Sequence, residues 1–166
     1  SERGCLEEAI SVYQDMLRRR PNDAEALARL GICLQKLKRS DEAIECLCAA
    51  IDLRPESPEA LFFLGCALQG KEHFAEAVAC YRASIGLQPD LAEAWFNQAV
   101  ALRQQGLMDE ALACVDKAVA LQPGRADFLN GRGIALRFVG RLQEAIASYQ
   151  EAIQIDPAYY TIPGKA

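Results

Sequence analysis

Prolines stand at Pro21, Pro55, Pro89, Pro123 and Pro157, each 34 residues after the last. A chain punctuated at one constant interval is an array of equal units and is not wrapped around one central core. An interval of that length is the size of a helix–turn–helix unit. Each unit buries its apolar face on its neighbours. Other columns keep the same period: Ala9, Ala43, Ala77, Ala111 and Ala145; Glu8, Glu42, Glu76, Glu110 and Glu144; Leu34, Leu68, Leu102 and Leu136. Glycine fills a further column at Gly31, Gly65 and Gly133, with Ala99 in the remaining slot. Tyr13, Leu47, Tyr81, Val115 and Tyr149 form a large apolar column.

These columns resemble the tetratricopeptide repeat family. The third unit carries the pattern well: Trp95, Ala99 and Leu102, then Ala111, Val115 and Ala118, then Pro123. The resemblance spans residues 4 to 157. It implies an all-α fold, a right-handed superhelix (α-solenoid) of 34-residue helix–turn–helix repeats.

Apolar spacing divides each unit into two amphipathic helices. Leu27, Leu30, Gly31 and Leu34 recur at three and four residues and share a face, as do Ala43, Ile44, Leu47, Ala50 and Ile51. First helices are expected over 24–37, 58–70, 92–105 and 126–139. Second helices are expected over 41–54, 75–88, 109–122 and 143–156, each ended by a proline that cannot continue the hydrogen-bond ladder. Residues 4–20 match only a second helix, so the chain is expected to begin inside a repeat, as a piece of something longer. The expected organisation is a half repeat at 1–23, full repeats at 24–57, 58–91, 92–125 and 126–159, and a non-helical tail at 160–166. The small residues Gly31 and Ala43 are expected to let two helix backbones approach. A large side chain at Gly65 is expected to overpack that contact, at about 1–3 kcal/mol. Glu25, Glu59, Glu93 and Asp127 fall near helix starts, where a carboxylate complements the helix dipole.

Composition narrows the function. The chain has 166 residues, 51% of them hydrophobic, and a formal net charge of −5. An acidic chain carries no electrostatic footprint for nucleic acid. No apolar run approaches the roughly 18 residues a membrane span needs. The seven cysteines are odd in number and have no zinc-ligand spacing. Cys46, Cys80 and Cys114 share one column and read as small apolar residues. Unpaired thiols favour a reducing compartment, which points to the cytoplasm. The single histidine, His73, falls at a turn and reads as an exposed turn residue. Gly131 and Gly133 are not followed by the glycine of a phosphate loop, and no strand precedes them. No catalytic set, metal site or cofactor motif emerges, and the chain is expected not to be an enzyme.

The resemblance implies that first helices line a concave groove and that the function is non-catalytic binding of a protein or peptide. Carried onto this sequence, the groove columns give Arg29, Phe62, Phe63, Cys66, Phe96, Asn97, Val100, Arg103, Asn130, Ile134, Arg137 and Phe138 as the peptide-binding residues. Aromatics and arginines are common anchors of protein interfaces. Phe62 and Phe63 are consecutive and cannot both face one core, so one of them is expected to be exposed. Some family members clamp chaperone C-terminal carboxylates with lysine and asparagine at set positions. Here only Asn97 fits, and Glu93 or Asp127 replaces a required lysine, so that ligand is not expected. Trp95–Arg103 also resembles repeats found in front of glycosyl- and methyltransferase domains. A substrate-docking fragment of a larger enzyme is therefore the alternative. A self-assembling scaffold is a third reading, with contacts through the repeat ends or the apolar tail Tyr159, Tyr160 and Ile162.

Overall fold

A computed structural model describes residues 2–160. They form helices α1 (Glu2–Arg19), α2 (Ala24–Lys36), α3 (Ser40–Leu53), α4 (Pro58–Gly70), α5 (Phe74–Leu87), α6 (Ala92–Gln104), α7 (Met108–Leu121), α8 (Ala126–Phe138) and α9 (Leu142–Ile155). A short 3-10 turn, Pro157–Tyr160, follows. The remaining residues of the expected tail, 161–166, lie outside the described residues. The fold class is all-α, an α-solenoid of helical hairpins, and the described residues contain no strand.

Helix ends follow from local chemistry repeated in every unit. The residue before proline is pushed out of the helical region by the pyrrolidine ring. Arg54, Gln88, Gln122 and Asp156 accordingly all take extended backbones, with φ between −135° and −142°. Each second helix therefore ends two residues before its proline and not one, as the spacing had suggested. Asp23 and Ser57 accept hydrogen bonds from the amides of Ala26 and Ala60 and cap α2 and α4. Leu91 and Arg125, ahead of α6 and α8, make no side-chain cap.

The chain divides into two compact units, residues 1–89 and 90–166. In the first, α2 pairs with α3 and α4 with α5, while α3 packs on α4 and α1 on α2. Its core gathers Ile10, Leu30, Ile32, Leu34, Leu47 and Leu64. In the second unit α6 pairs with α7 and α8 with α9, with α7 against α8 and the two first helices α6 and α8 also touching. Phe128, Leu102, Leu136 and Val115 are fully buried there.

At Gly31 the close approach expected of the glycine column is present, since a Cβ there would lie 3.3 Å from the backbone carbonyl oxygen of Ala43, but large side chains come closer still along the column. A Cβ on Gly31 would lie 2.6 Å from Leu47 Cγ. On Gly65 and Gly133 it would lie 2.6 and 2.5 Å from the Tyr81 and Tyr149 rings. Each glycine thus leaves room for the large side chain of the same hairpin. The same two columns hold Ala99 and Val115 in the third hairpin, a larger residue in the glycine column with a smaller one in the apolar column, and both line one cavity.

Candidate functional site

A cavity opens in the second unit between α6 and α8, with α7 as its floor. The volume open to water is about 90 Å³, several times the minimum of about 10–15 Å³ that one water needs. Ala99, Val100, Ala111, Val115, Ile134 and Ala135 make an aliphatic lining. Phe96 forms one wall, and Arg103, Asp127 and Asn130 supply the polar groups.

The cavity exists because three columns change together in this unit. Val115 fills less space than the Tyr81 and Tyr149 that occupy its column elsewhere. Asn130 and Gly131 replace the Phe62–Phe63 pair two repeats earlier. Gly131 also seats the neighbouring ring, since a Cβ there would lie 2.5 Å from Phe96 Cε2. Phe96 is further fixed by stacking on Phe128, with ring centres 4.7 Å apart. The Arg125 guanidinium lies 4.2 Å from the Phe128 ring centre, a cation–π geometry.

The polar groups are not equivalent. Asp127 accepts two hydrogen bonds from Arg125, at 2.8 and 2.6 Å. Arg125 also donates to Glu93 at 3.0 Å. The bonded guanidinium holds the Asp127 carboxyl below the usual aspartate range. Asn130 and Arg103, by contrast, have no hydrogen-bond or ion-pair partner among the described residues. The acidic residues at the helix starts are therefore more than dipole partners. In the first unit, too, Glu25 accepts from Arg29 at 2.8 Å and from Arg54 at 3.5 Å, and Glu59 lies 3.8 Å from Arg29.

Of the residues expected in the groove, Phe96, Val100, Arg103, Asn130 and Ile134 come together at this cavity. The others do not line it. Arg29 is exposed and already paired with carboxylates. Phe62 and Phe63 are both half-buried, against the expectation that one would be exposed. Their rings pack edge to face at 5.1 Å, Phe62 also lies 6.0 Å from the Tyr81 ring, and Phe63 packs on the first-unit core. Cys66 and Asn97 are half-buried. Arg137 is exposed at the end of α8, 5.4 Å from the ring centre of the equally exposed Phe138. The floor residues Ala99, Ala111 and Val115 were not among the expected site residues. The departure of both Ala99 and Val115 from their columns in one hairpin was the available signal.

All seven cysteines are free thiols. Cys46 and Cys80 are half-buried and Cys114 is buried, as their shared column suggested. Burial, helped by the nearby Cys48 and Glu76, pushes the Cys80 thiol up to about 11. Burial likewise raises Cys33 and Cys46. His73 is exposed at the turn before α5. Among the described residues no group of three or more His, Cys, Asp or Glu side chains is placed to hold a metal ion. No helix there is long and apolar enough to cross a membrane.

Family models described as tetratricopeptide repeats match residues 2–64, 64–126 and 126–159. The chain belongs to the tetratricopeptide repeat family. No curated protein matches it. Solved tetratricopeptide structures share its fold. A crystal structure of MamA is 25% identical, with 93% of this chain and 91% of that chain covered and a TM-score of 0.86. MamA from Desulfovibrio magneticus RS-1 is 21% identical over 96% and 90% of the two chains, with a TM-score of 0.86. YrrB, described as a TPR protein with an unusual peptide-binding site, is 24% identical over 93% and 79%, with a TM-score of 0.79.

Proposed function

We propose that this tetratricopeptide protein is a non-catalytic interaction scaffold. Its second unit holds a segment of another polypeptide across α6 and α8, with one side chain anchored in the cavity. The observation that carries this reading is an aliphatic pocket lined also by an amide, Asn130, and a guanidinium, Arg103, neither of which has a partner among the described residues. A pocket lined mostly by apolar groups with a few convergent polar ones is the common form of a binding site. The amide can bond a peptide backbone, and the lining can cover an apolar side chain. The likeness to YrrB, whose structure is described by its peptide-binding site, supports the same class of ligand. Seven free thiols fit a reducing, cytoplasmic setting.

The test fills the pocket without disturbing the hairpin. Ala99→Gly with Val115→Tyr gives the third hairpin the glycine–tyrosine pairing found at Gly65 and Gly133. A random-peptide display library selected on the original chain should yield peptides that lose about tenfold or more in affinity for this double variant. Circular dichroism should show the same helix content in both. Equal binding to the two proteins would sink the proposal.

Self-association is a second reading, favoured by one observation. On α9, Leu142 and Ile146 are 56% and 49% exposed. The corresponding Leu112 of α7 is buried.

A further inference from the structure

The charges around the pocket are unevenly satisfied, and the imbalance selects an occupant. Its own carboxylate, Asp127, is held by Arg125, which also holds Glu93. On the surrounding helices, Asp116 accepts from Arg132 at 2.7 Å and Glu144 from Arg141 at 2.7 Å. Arg103 has no such partner among the described residues, although it lines the cavity. Arg137 follows in the same column on α8 and also lacks an acidic partner among the described residues. In the first unit that column carries the neutral Gln35 and Gln69. Positive charge in this column, beside the α6–α8 cavity, is therefore particular to the second unit.

Resting on the pocket reading above, we propose that the occupant is a peptide segment with an aliphatic anchor, of leucine, isoleucine or methionine type, followed closely by an aspartate or glutamate. The anchor enters between Val100 and Ile134 over Val115. The carboxylate meets Arg103, and Asn130 bonds the intervening backbone. Planar guanidinium groups suit carboxylates because two parallel N–H groups can reach both oxygens. A basic segment would place its charge against Arg103 and is disfavoured. The overall negative charge of the chain does not oppose this, because a Debye length near 8–10 Å at ordinary salt lets the nearest unpaired charge dominate at contact.

The experiment selects the same random-peptide display library on the original chain, on Ala99→Gly/Val115→Tyr and on Arg103→Gln/Arg137→Gln. The glutamines are those the first unit carries in that column. Peptides from the original chain should share an aliphatic residue with an acidic residue within about three positions. They should bind the glutamine variant about tenfold or more weakly, and selection on that variant should keep the aliphatic preference while losing the acidic one. Added salt should weaken binding to the original chain more than to the glutamine variant. Selected peptides with no acidic preference, or an acidic preference that survives the glutamine substitutions, would overturn this inference and leave the pocket reading standing. No selection at all, or selection unchanged by filling the pocket, would overturn both.

Discussion

Lys38 and Glu72 take backbone φ values of 60° and 64°, in the left-handed region where a Cβ crowds the chain. Both follow the end of a first helix and close the turn into its partner. There the amide of Lys38 donates to Gln35 and that of Arg39 to Leu34, the helix-ending arrangement that glycine usually serves. The same position in the second unit is glycine, at Gly106 and Gly140, with φ of 79° and 81°. Left-handed backbone costs an L-residue about 1–2 kcal/mol. Lys38→Gly and Glu72→Gly should each raise the stability of the chain by about 1 kcal/mol or a little less, because glycine also gains freedom in the unfolded state. Urea unfolding of each single variant checks this, and a fall in midpoint would show that the lysine or glutamate side chain contributes more than the strain removes. Only two of the four positions are glycine, so the column did not stand out in the sequence. The prolines did, because the ring that imposes an extended residue before it has no substitute.

At the scale of helices, the sequence was legible to within a residue at each boundary of α2 to α9. Three- and four-residue apolar spacing is set by helix geometry itself. Second helices both start and end one residue earlier than expected, and the early end follows because the residue before proline is extended and does not complete the turn. Pairing between columns was not legible, because a period shows which positions recur and not which of them touch. Gly65 and Tyr81 are such a pair. Gly65→Ala drives a methyl to 2.6 Å from the Tyr81 ring and should destabilise the protein by about 1–3 kcal/mol. Tyr81→Val should also destabilise, by opening a cavity and removing the hydroxyl that donates to Gln69 at 3.0 Å. The double variant reproduces the Ala99–Val115 combination of the third hairpin. Its loss should be smaller than the sum of the single losses by about 1 kcal/mol or more, as contacting residues couple. A thermal or denaturant double-mutant cycle measures that coupling, and strict additivity would show that ring and methyl do not compete for one space. The candidate site was half legible for the same reason. Groove columns pointed to Phe96, Val100, Arg103, Asn130 and Ile134, but the cavity arises where Val115, Asn130 and Gly131 are smaller than their counterparts. Periodicity directs attention to what recurs, and this site is made by what departs.

For the whole molecule, the period runs unbroken through Pro89 and Asp90, so the sequence gives no sign of the division into two units there. Among the described residues, α9 packs on α8 and on the short turn Pro157–Tyr160, and part of its apolar stripe stays exposed. On α7, Leu112 and Val115 are 7% and 1% exposed, and α8 packs against that helix. The matching stripe on α9 runs through Leu142, Ile146, Tyr149 and Ile153, spaced by three and four residues, and its first two members remain largely exposed. Its polar neighbours Gln143, Gln150 and Gln154 carry no charge, and Arg141 neutralises Glu144. A second copy presenting the same stripe can meet it about a twofold axis, because such a contact needs one self-complementary patch and no separate partner surface. The 166-residue chain should therefore gain mass with concentration in sedimentation or light scattering. Leu142→Gln with Ile146→Gln should hold it at monomer mass with helix content retained, since both side chains are already exposed. A monomer at every concentration in the unsubstituted chain would rule out this contact. Binding at the α6–α8 pocket should be the same in the glutamine variant, because no residue of α9 lines that cavity.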